Sequence, residues 1–185
     1  MFALGFRIGD RFPTHGSWRI MAPARVVVPV PPPLSTPGCR PGDRPPPLPD
    51  EGWLRGETKT WDAFKGQVVL VDAWANWCPY CHVMANDMEA IGRKYADRGV
   101  VVLHITPDAR SAAEAFCAQY QLSGSVVCDA EAFLNSWSAD RYPLLVVVGR
   151  DGRIVWNDGA ARLSHRIDEL AKTLCDVLDR ACDGS

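Results

Sequence analysis

The chain has 185 residues, 47% of them hydrophobic, with 20 basic and 22 acidic side chains and a formal net charge of −2. This length and apolar content fit one globular domain with a core of its own and residues to spare. The balanced charge excludes a strong field of one sign, so neither nucleic acid nor an anionic membrane is expected as a partner. No apolar run approaches the roughly 20 residues that span a bilayer, and no membrane span is predicted.

The start of the chain and its cysteines bear on the compartment. The apolar run within residues 1–10 is broken by Gly5, Arg7 and Gly9, so it is no convincing secretory signal. Seven cysteines, an odd number, leave at least one thiol unpaired, which argues mildly for a reducing compartment. As it stands the sequence predicts a cytoplasmic protein; the open alternative is an extracytoplasmic protein whose leader is missing. Five cysteines are interpreted as small apolar filler or surface thiols: Cys39, Cys117, Cys128, Cys175 and Cys182.

The chain changes character near residue 48. Prolines crowd residues 29–49 and include two runs of three, at 31–33 and 45–47. Because proline lacks an amide hydrogen and has a fixed φ, this stretch is incompatible with the interior of a helix or sheet. We expect residues 1–47 to form a flexible, extended tail with polyproline character, and residues 48–185 to form the folded domain.

Beyond residue 50, apolar patterns predict alternating strands and helices. A nearly continuous, valine-rich run predicts a strand buried on both faces over 68–74. Apolar residues at spacings of three and four predict a helix over 79–98, which ends at Gly99. A second buried strand is predicted over 100–105.

The second half of the chain continues this alternation. Ser111 and Glu114 have the spacing of a capping box at the start of a helix, and Asp151-Gly152 predicts the turn of a hairpin. The predicted elements are a helix over 111–120, an extended piece over 125–128, a short helix over 131–137, strands over 144–148 and 153–156, and an amphipathic helix over 162–180. This order predicts an α/β fold with one central mixed sheet flanked by helices.

A CxxC motif, Cys78-Pro79-Tyr80-Cys81, follows directly on the first predicted strand and begins the first predicted helix. The unpaired amides and the positive dipole end of a helix N-terminus stabilise a thiolate, the reactive form of cysteine. Pro79 suits the first helical turn because it has no amide hydrogen to lose. Cys81 lies on the same helix face as Cys78, so the two can close a disulfide that is exchanged through a mixed disulfide.

Two further features accompany the motif. Asp72 lies in the predicted buried strand, where a carboxylate is costly unless it has a partner or a role. It is therefore a candidate proton acceptor for Cys81, the alternative being a strand-end residue bonded to backbone. Tyr142-Pro143 precedes a strand, which is a common place for a cis peptide bond, with an ordinary trans turn as the alternative.

Taken together, these segments resemble the thioredoxin superfamily, and more closely its TlpA/ResA-like redoxin branch. The matching residues are 65–81, Tyr142-Pro143 and 151–154, and the resemblance covers roughly residues 48–183. Three features depart from the branch: Asp72 is similar to thioredoxin itself, the Pro-Tyr dipeptide of the motif is similar to glutaredoxins, and Tyr142 is larger than the residue usual before the proline.

The resemblance implies a thioredoxin-like fold and the function of a thiol–disulfide oxidoreductase. It implies that Cys78 is the exposed nucleophile, Cys81 the resolving thiol and Asp72 the buried acid. Residues expected to contact the substrate are Trp77, Pro79, Tyr80, Tyr142 and Pro143, with Pro143 as a cis-proline facing the disulfide and the Tyr142 backbone pairing with a substrate strand. It further implies protein disulfide or dithiol substrates, a recycling redox partner, a monomer, and no bound cofactor or metal.

Three other interpretations of the motif stay open. Residues 78–82 also match the C-x-x-C-H pattern of c-type haem attachment, although a position after a buried strand argues for a redox pair, with His82 tuning Cys78. A zinc site needs a second pair of ligands, and His104 and His165 are isolated. A non-catalytic interaction module with a structural disulfide is the third, because a fold does not by itself determine a function.

Overall fold

The structure, a computed structural model, describes residues 40–137, 139, 142–158 and 167–184. Within these ranges the strands are β1 (Trp53–Arg55), β2 (Val68–Ala73), β3 (Val100–Ile105), β4 (Ser125–Val127), β5 (Leu144–Val148) and β6 (Ile154–Asn157). The α-helices are α1 (Pro79–Tyr95), α2 (Arg110–Tyr120), α3 (Glu131–Ser136) and α4 (Ile167–Asp183). The predicted tail up to residue 39, with Cys39, and also His165, lie outside the described residues. Among the helices described, none is both long and apolar enough for a bilayer span.

The six described strands form one mixed sheet in the order β1-β4-β3-β2-β5-β6. Strands β2, β3 and β4 are parallel, whereas β1 pairs antiparallel with β4, and β5 pairs antiparallel with both β2 and β6. Helices α1 and α2 connect the parallel strands, as crossover connections of this kind require. The predicted α/β fold with a central mixed sheet flanked by helices is confirmed.

Strand β2 positions the motif. All six of its residues are buried, and they alternate between two apolar clusters on opposite faces of the sheet. Val68 and Leu70 lie on the face that α1 and α4 cover, so the period of two places Asp72 on that face as well. The chain then reverses, and α1 runs back over β2 with Cys81 and Met84 on its buried side.

Helix boundaries lie within one residue of the predictions at α2 and α3, whereas α4 extends to Asp183, three residues beyond its predicted end. The helix predicted over 79–98 is α1 followed by a 3₁₀ turn at Ala96–Arg98, and Gly99 ends it with a left-handed φ of 79°. The predicted capping box is wrong: α2 begins at Arg110, its N-cap is Ala109, and no side chain caps it. Ser111 lies inside the first turn, where it is not in place to cap.

Strand β1 was not predicted, because three residues are too few for a periodic pattern. It lies between Gly52 and Gly56, which both have left-handed φ angles, of 83° and 89°. At Gly52 a Cβ atom would lie 2.2 Å from the Cys128 carbonyl oxygen. The close pairing of this edge strand with β4 therefore requires a glycine there.

The end of the proline-rich segment contacts the sheet. The Gly42 amide donates to the Ile154 carbonyl at 2.7 Å, and the Ile154 amide donates to the Asp43 carbonyl at 2.8 Å. The Trp61 indole donates to the Pro46 carbonyl at 2.6 Å. Contacts with the sheet thus begin before the predicted boundary at residue 48, because Gly42 has an amide hydrogen and every residue of the segment, proline included, has a carbonyl acceptor.

Candidate active site

Cys78 and Cys81 are joined in a disulfide at the start of α1, with their Cα atoms 5.3 Å apart. Cys78 is the N-cap residue, and Pro79 occupies the first helical position. The Cys81 amide donates a hydrogen bond to the Cys78 sulfur at 3.2 Å. The same amide also donates to the Cys78 carbonyl oxygen at 3.1 Å. After reduction it is placed to stabilise a thiolate on Cys78, at the positive end of the helix dipole.

The disulfide is buried in this structure. Cys78 is 2% exposed and Cys81 is 3% exposed, which differs from the exposed nucleophile that the resemblance implies. Both cysteines belong to an apolar cluster with Trp74 and Phe116, and Tyr142 packs against that cluster from a distant part of the chain. The large side chain at position 142 thus covers part of the cluster that holds the disulfide, a contact between distant segments that local sequence does not reveal.

Aromatic side chains surround the motif. Trp77 is 67% exposed and Tyr80 is 38% exposed, so both present apolar surface beside the disulfide. The rings of Trp77 and Tyr142 pack edge to face, with their centroids 5.6 Å apart. The Tyr142-Pro143 bond is cis, as predicted. Burial, together with the Glu131 and Asp108 carboxylates, raises the pKa of Tyr142 to about 12, so its hydroxyl is neutral.

His82 ties the first turn of α1 to its surroundings. Its Nε2 lies 2.7 Å from the Asn76 carbonyl oxygen, which only accepts, so Nε2 carries a hydrogen. Its Nδ1 lies 2.8 Å from the Tyr120 hydroxyl. The Asn76 amide in turn donates to Asp108 at 2.5 Å. These contacts give His82 a role in holding the loop before the motif, beside the predicted tuning of Cys78.

Asp72 pairs with a residue that the sequence left isolated. The Asp72 side chain is 8% exposed, and its Oδ2 lies 3.0 Å from Nδ1 of His104. The two residues are register partners on β2 and β3. Nε2 of His104 lies 3.5 Å from Oε1 of Glu89, on the buried side of α1. The structure therefore brings Asp72, His104 and Glu89 together, a set that we call the buried triad.

The sequence contained one signal for the buried triad that the predictions missed. Glu89 follows Cys81 and Ala85 at helical spacing, so a carboxylate lies on the apolar stripe of α1. The two carboxylates contact opposite nitrogens of the imidazole, so the triad does not converge on one point. Nowhere in the described ranges do three His, Cys, Asp or Glu side chains form a group suited to a metal ion.

Comparison with known proteins relates the chain to a family. A family model named Redoxin matches residues 40–171. Thioredoxin-like protein YneN of Bacillus subtilis is 29% identical over 104 residues, which are 55% of this chain and 61% of that protein. The chain therefore spans about three fifths of that relative. Thiol-disulfide oxidoreductase ResA of Bacillus thuringiensis subsp. konkukian is 23% identical over 123 residues, which are 65% of this chain and 71% of that protein.

Solved structures resemble the fold. The thioredoxin domain of a thiol-disulfide oxidoreductase from Bacteroides vulgatus has a TM-score of 0.63 at 20% identity, covering 75% of this chain and 98% of that one. A thiol:disulfide interchange protein of the thioredoxin family from Chlorobium tepidum has a TM-score of 0.58 at 18% identity, covering 72% and 96%. These similarities show that the predicted thioredoxin-like fold is correct.

Proposed function

Because the chain belongs to the redoxin family, we propose that it is a thiol–disulfide oxidoreductase that exchanges disulfides with protein substrates through Cys78 and Cys81. One observation carries the proposal: the two cysteines form a disulfide at the N-terminus of α1, in a cluster against which Tyr142, followed by the cis-proline, packs. A structural disulfide needs no helix N-terminus beneath it, whereas an exchanging pair gains reactivity from that position.

The reaction begins with the reduced pair. The Cys78 thiolate attacks one sulfur of a substrate disulfide, so a mixed disulfide forms and the second substrate sulfur leaves as a thiolate that takes a proton from water. Cys81 then loses its proton and attacks the Cys78 sulfur. The mixed disulfide breaks, the substrate departs as a dithiol, and two electrons have passed from the cysteine pair to the substrate. A separate dithiol or disulfide partner returns the pair to its starting state.

Asp72 is the proposed acceptor of the Cys81 proton. Its carboxylate lies on the face of β2 that α1 covers, two residues beyond Leu70. Because α1 runs back over β2 from the motif, that place lies beneath the first turns of the helix. A buried carboxylate with one partner, His104, keeps an oxygen with lone pairs for a proton.

The substrate surface is proposed to comprise the aromatic side chains around the motif and the backbone before Pro143. Trp77 and Tyr80 present a mostly apolar surface to the substrate. Pro79, between the cysteines, is proposed as a further part of that surface. The Tyr142 backbone pairs with an extended substrate segment, a mode of recognition in which main-chain hydrogen bonds provide affinity. The size of Tyr142 restricts which residues can flank the substrate cysteine.

Single-cysteine variants test the assignment of roles. Cys81→Ser should accumulate a mixed disulfide with a peptide that carries a disulfide, because the resolving thiol is missing. Cys78→Ser should accumulate none, and Cys182→Ser is the matched control, since Cys182 is a free thiol on α4, outside the cluster that holds the motif. Mass spectrometry of the adducts gives the answer. Trapping by Cys78→Ser instead would reverse the roles, and trapping by neither would refute the mechanism.

A further inference from the structure

His104 is a histidine with no exposed surface and with a carboxylate at each ring nitrogen. Nδ1 lies 3.0 Å from Oδ2 of Asp72, and Nε2 lies 3.5 Å from Oε1 of Glu89. The second contact is a charge contact rather than a hydrogen bond, because Nε2 makes no hydrogen bond of normal geometry. A buried imidazole with two acidic neighbours is unusual, because burial of charged groups is costly unless they compensate one another.

The geometry favours a hydrogen on both ring nitrogens. A carboxylate accepts hydrogen bonds and donates none, so a neutral imidazole would direct a lone pair at one of its two acidic neighbours. The imidazolium form directs a hydrogen at each. Burial by itself lowers the pKa of His104, but the hydrogen bond with Asp72 and the contacts with the Asp72 and Glu89 carboxylates outweigh burial and raise the pKa to about 8.

Glu89 is fixed as an anion from its other side. The Ser123 amide donates to Oε1 at 2.9 Å, and the Ser123 hydroxyl donates to Oε2 at 2.7 Å. Arg93 lies 3.6 Å from Oε2. Burial raises the pKa of Glu89, but the contact with His104 and the hydrogen bonds from Ser123 outweigh burial and lower the pKa to about 2. Glu89 is therefore ionised throughout the physiological range.

The segment that holds Glu89 also closes on the imidazole. A Cβ atom at Gly124 would lie 2.5 Å from the Val102 carbonyl oxygen and 3.1 Å from Cδ2 of His104. Any side chain there would push this segment away from β3. The absence of a side chain at position 124 thus lets Ser123 reach Glu89 while the segment covers His104.

We propose that His104, held between Asp72 and Glu89, is a positioning residue for the disulfide exchange, and that Glu89 is its permanent counter-charge. The inference rests on the proposed function. With Asp72 ionised the triad has a net charge of −1; when Asp72 takes the Cys81 proton, the net charge becomes zero. Without Glu89, the same step would leave a lone cation in the core. His104 keeps both of its protons, and the only proton that moves passes from Cys81 Sγ to Asp72.

The neighbouring groups do not supply an alternative charge for this step. Titratable and charged groups on the elements packed around the triad are Asp72 of β2, Cys81, Glu89 and Arg93 of α1, and Cys117 of α2, whose pKa is raised by burial. Helix α4 covers the same face of the sheet with apolar residues such as Leu174 and Leu178. Glu89 is thus the carboxylate that remains for His104 once Asp72 is neutral.

The resolving step can be measured directly. Reduced protein reacts with an aromatic disulfide that releases a coloured thiol, first by attack of Cys78 and then by attack of Cys81 on the mixed disulfide. The second release is followed by stopped flow between pH 5 and 9. In Glu89→Gln, His104 loses its counter-charge and its proton, so Asp72 loses a cationic partner and holds a proton of its own. We expect the pH midpoint of the second release to rise by about one unit, and its rate at pH 7 to fall about tenfold.

Controls separate this inference from the proposed function. Glu114→Gln, on the exposed face of α2, should behave as the unmodified protein. If Glu89→Gln does not fold, Ser123→Ala is the second variant. It keeps the charge of Glu89 but removes a hydrogen bond to it, and should give a smaller shift of the pH midpoint. NMR titration of the His104 ring should show its pKa falling in Glu89→Gln. An unchanged pH profile and ring titration would overturn the inference, whereas absence of the second release in the unmodified protein would instead refute the proposed function.

Discussion

Raising the pH from 6 to 8 is expected to destabilise the oxidised protein through His104. The folded state raises the pKa of His104 from its ordinary 6.5 to about 8, so the folded protein binds this proton more tightly than the unfolded chain. The stabilisation is complete below pH 6.5 and is lost as the pH rises through 8. It amounts to about 2 kcal/mol in full, and the loss between pH 6 and 8 is about 1.5 kcal/mol.

Glu89 and the buried free thiols do not titrate between pH 6 and 8 in a way that would obscure the effect of His104. Glu89, with its pKa lowered from 4.5 to about 2, contributes stability that is lost only as the pH falls below about 4.5. Burial raises the pKa of Cys117 and Cys128 from an ordinary 9.0, so their contribution changes above pH 8. In the oxidised protein, Cys78 and Cys81 do not titrate because they form the disulfide.

Urea unfolding at pH 6, 7 and 8, followed by tryptophan fluorescence, measures the effect. With a slope of about 1–3 kcal/mol per molar urea, the midpoint should fall by roughly 0.5–1.5 M over this range. His104→Gln should lose most of this dependence, and Glu89→Gln serves as the second variant if His104→Gln does not fold. Equal pH dependence in the unmodified protein and in a folded variant would refute the reasoning, because His104 would then not be the titrating group.

Three further predictions follow from the site and its support. Asp72→Asn should slow the resolving step near neutral pH while the protein keeps its circular dichroism spectrum, and the exposed Asp97→Asn should leave the rate unchanged; equal rates for both would make Asp72 a structural residue. Tyr142→Ala should speed reduction of the buried disulfide by dithiothreitol, whereas Tyr142→Phe should not; no gain in rate would mean that Tyr142 does not limit access. Gly124→Ala should lower the unfolding free energy by about 1–3 kcal/mol, because its Cβ would lie 2.5 Å from the Val102 carbonyl oxygen; unchanged urea midpoints would show that the segment shifts freely.

Local patterns predicted the elements that carry the motif. The valine-rich run of β2 and the cysteine spacing are properties of short segments, and both the strand and the helix start at Pro79 follow from them. The cis bond at Tyr142-Pro143 was also open to prediction, since only proline commonly adopts it. Where several local signals agreed, the structure agreed with them.

The remaining features depend on contacts between distant segments. His104 meets Asp72 because β2 and β3 pair in a particular register, and no pattern within either strand specifies that register. The cluster that buries Cys78 is packed against Tyr142, which comes from the other half of the chain. The capping box at Ser111 failed for a different reason, since α2 began one residue earlier than its local signal indicated.

A redox titration of the CxxC pair tests the central claim most directly. The purified protein is equilibrated in graded glutathione or dithiothreitol buffers, alkylated, and mapped by mass spectrometry, with the buried thiols of Cys117 and Cys128 as internal references. The account predicts that Cys78 and Cys81 convert together and reversibly between the dithiol and the disulfide. The midpoint potential of this conversion then shows whether the pair reduces or oxidises its substrates. A pair that never exchanges, or that carries the mass of a haem or a bound metal, would contradict it.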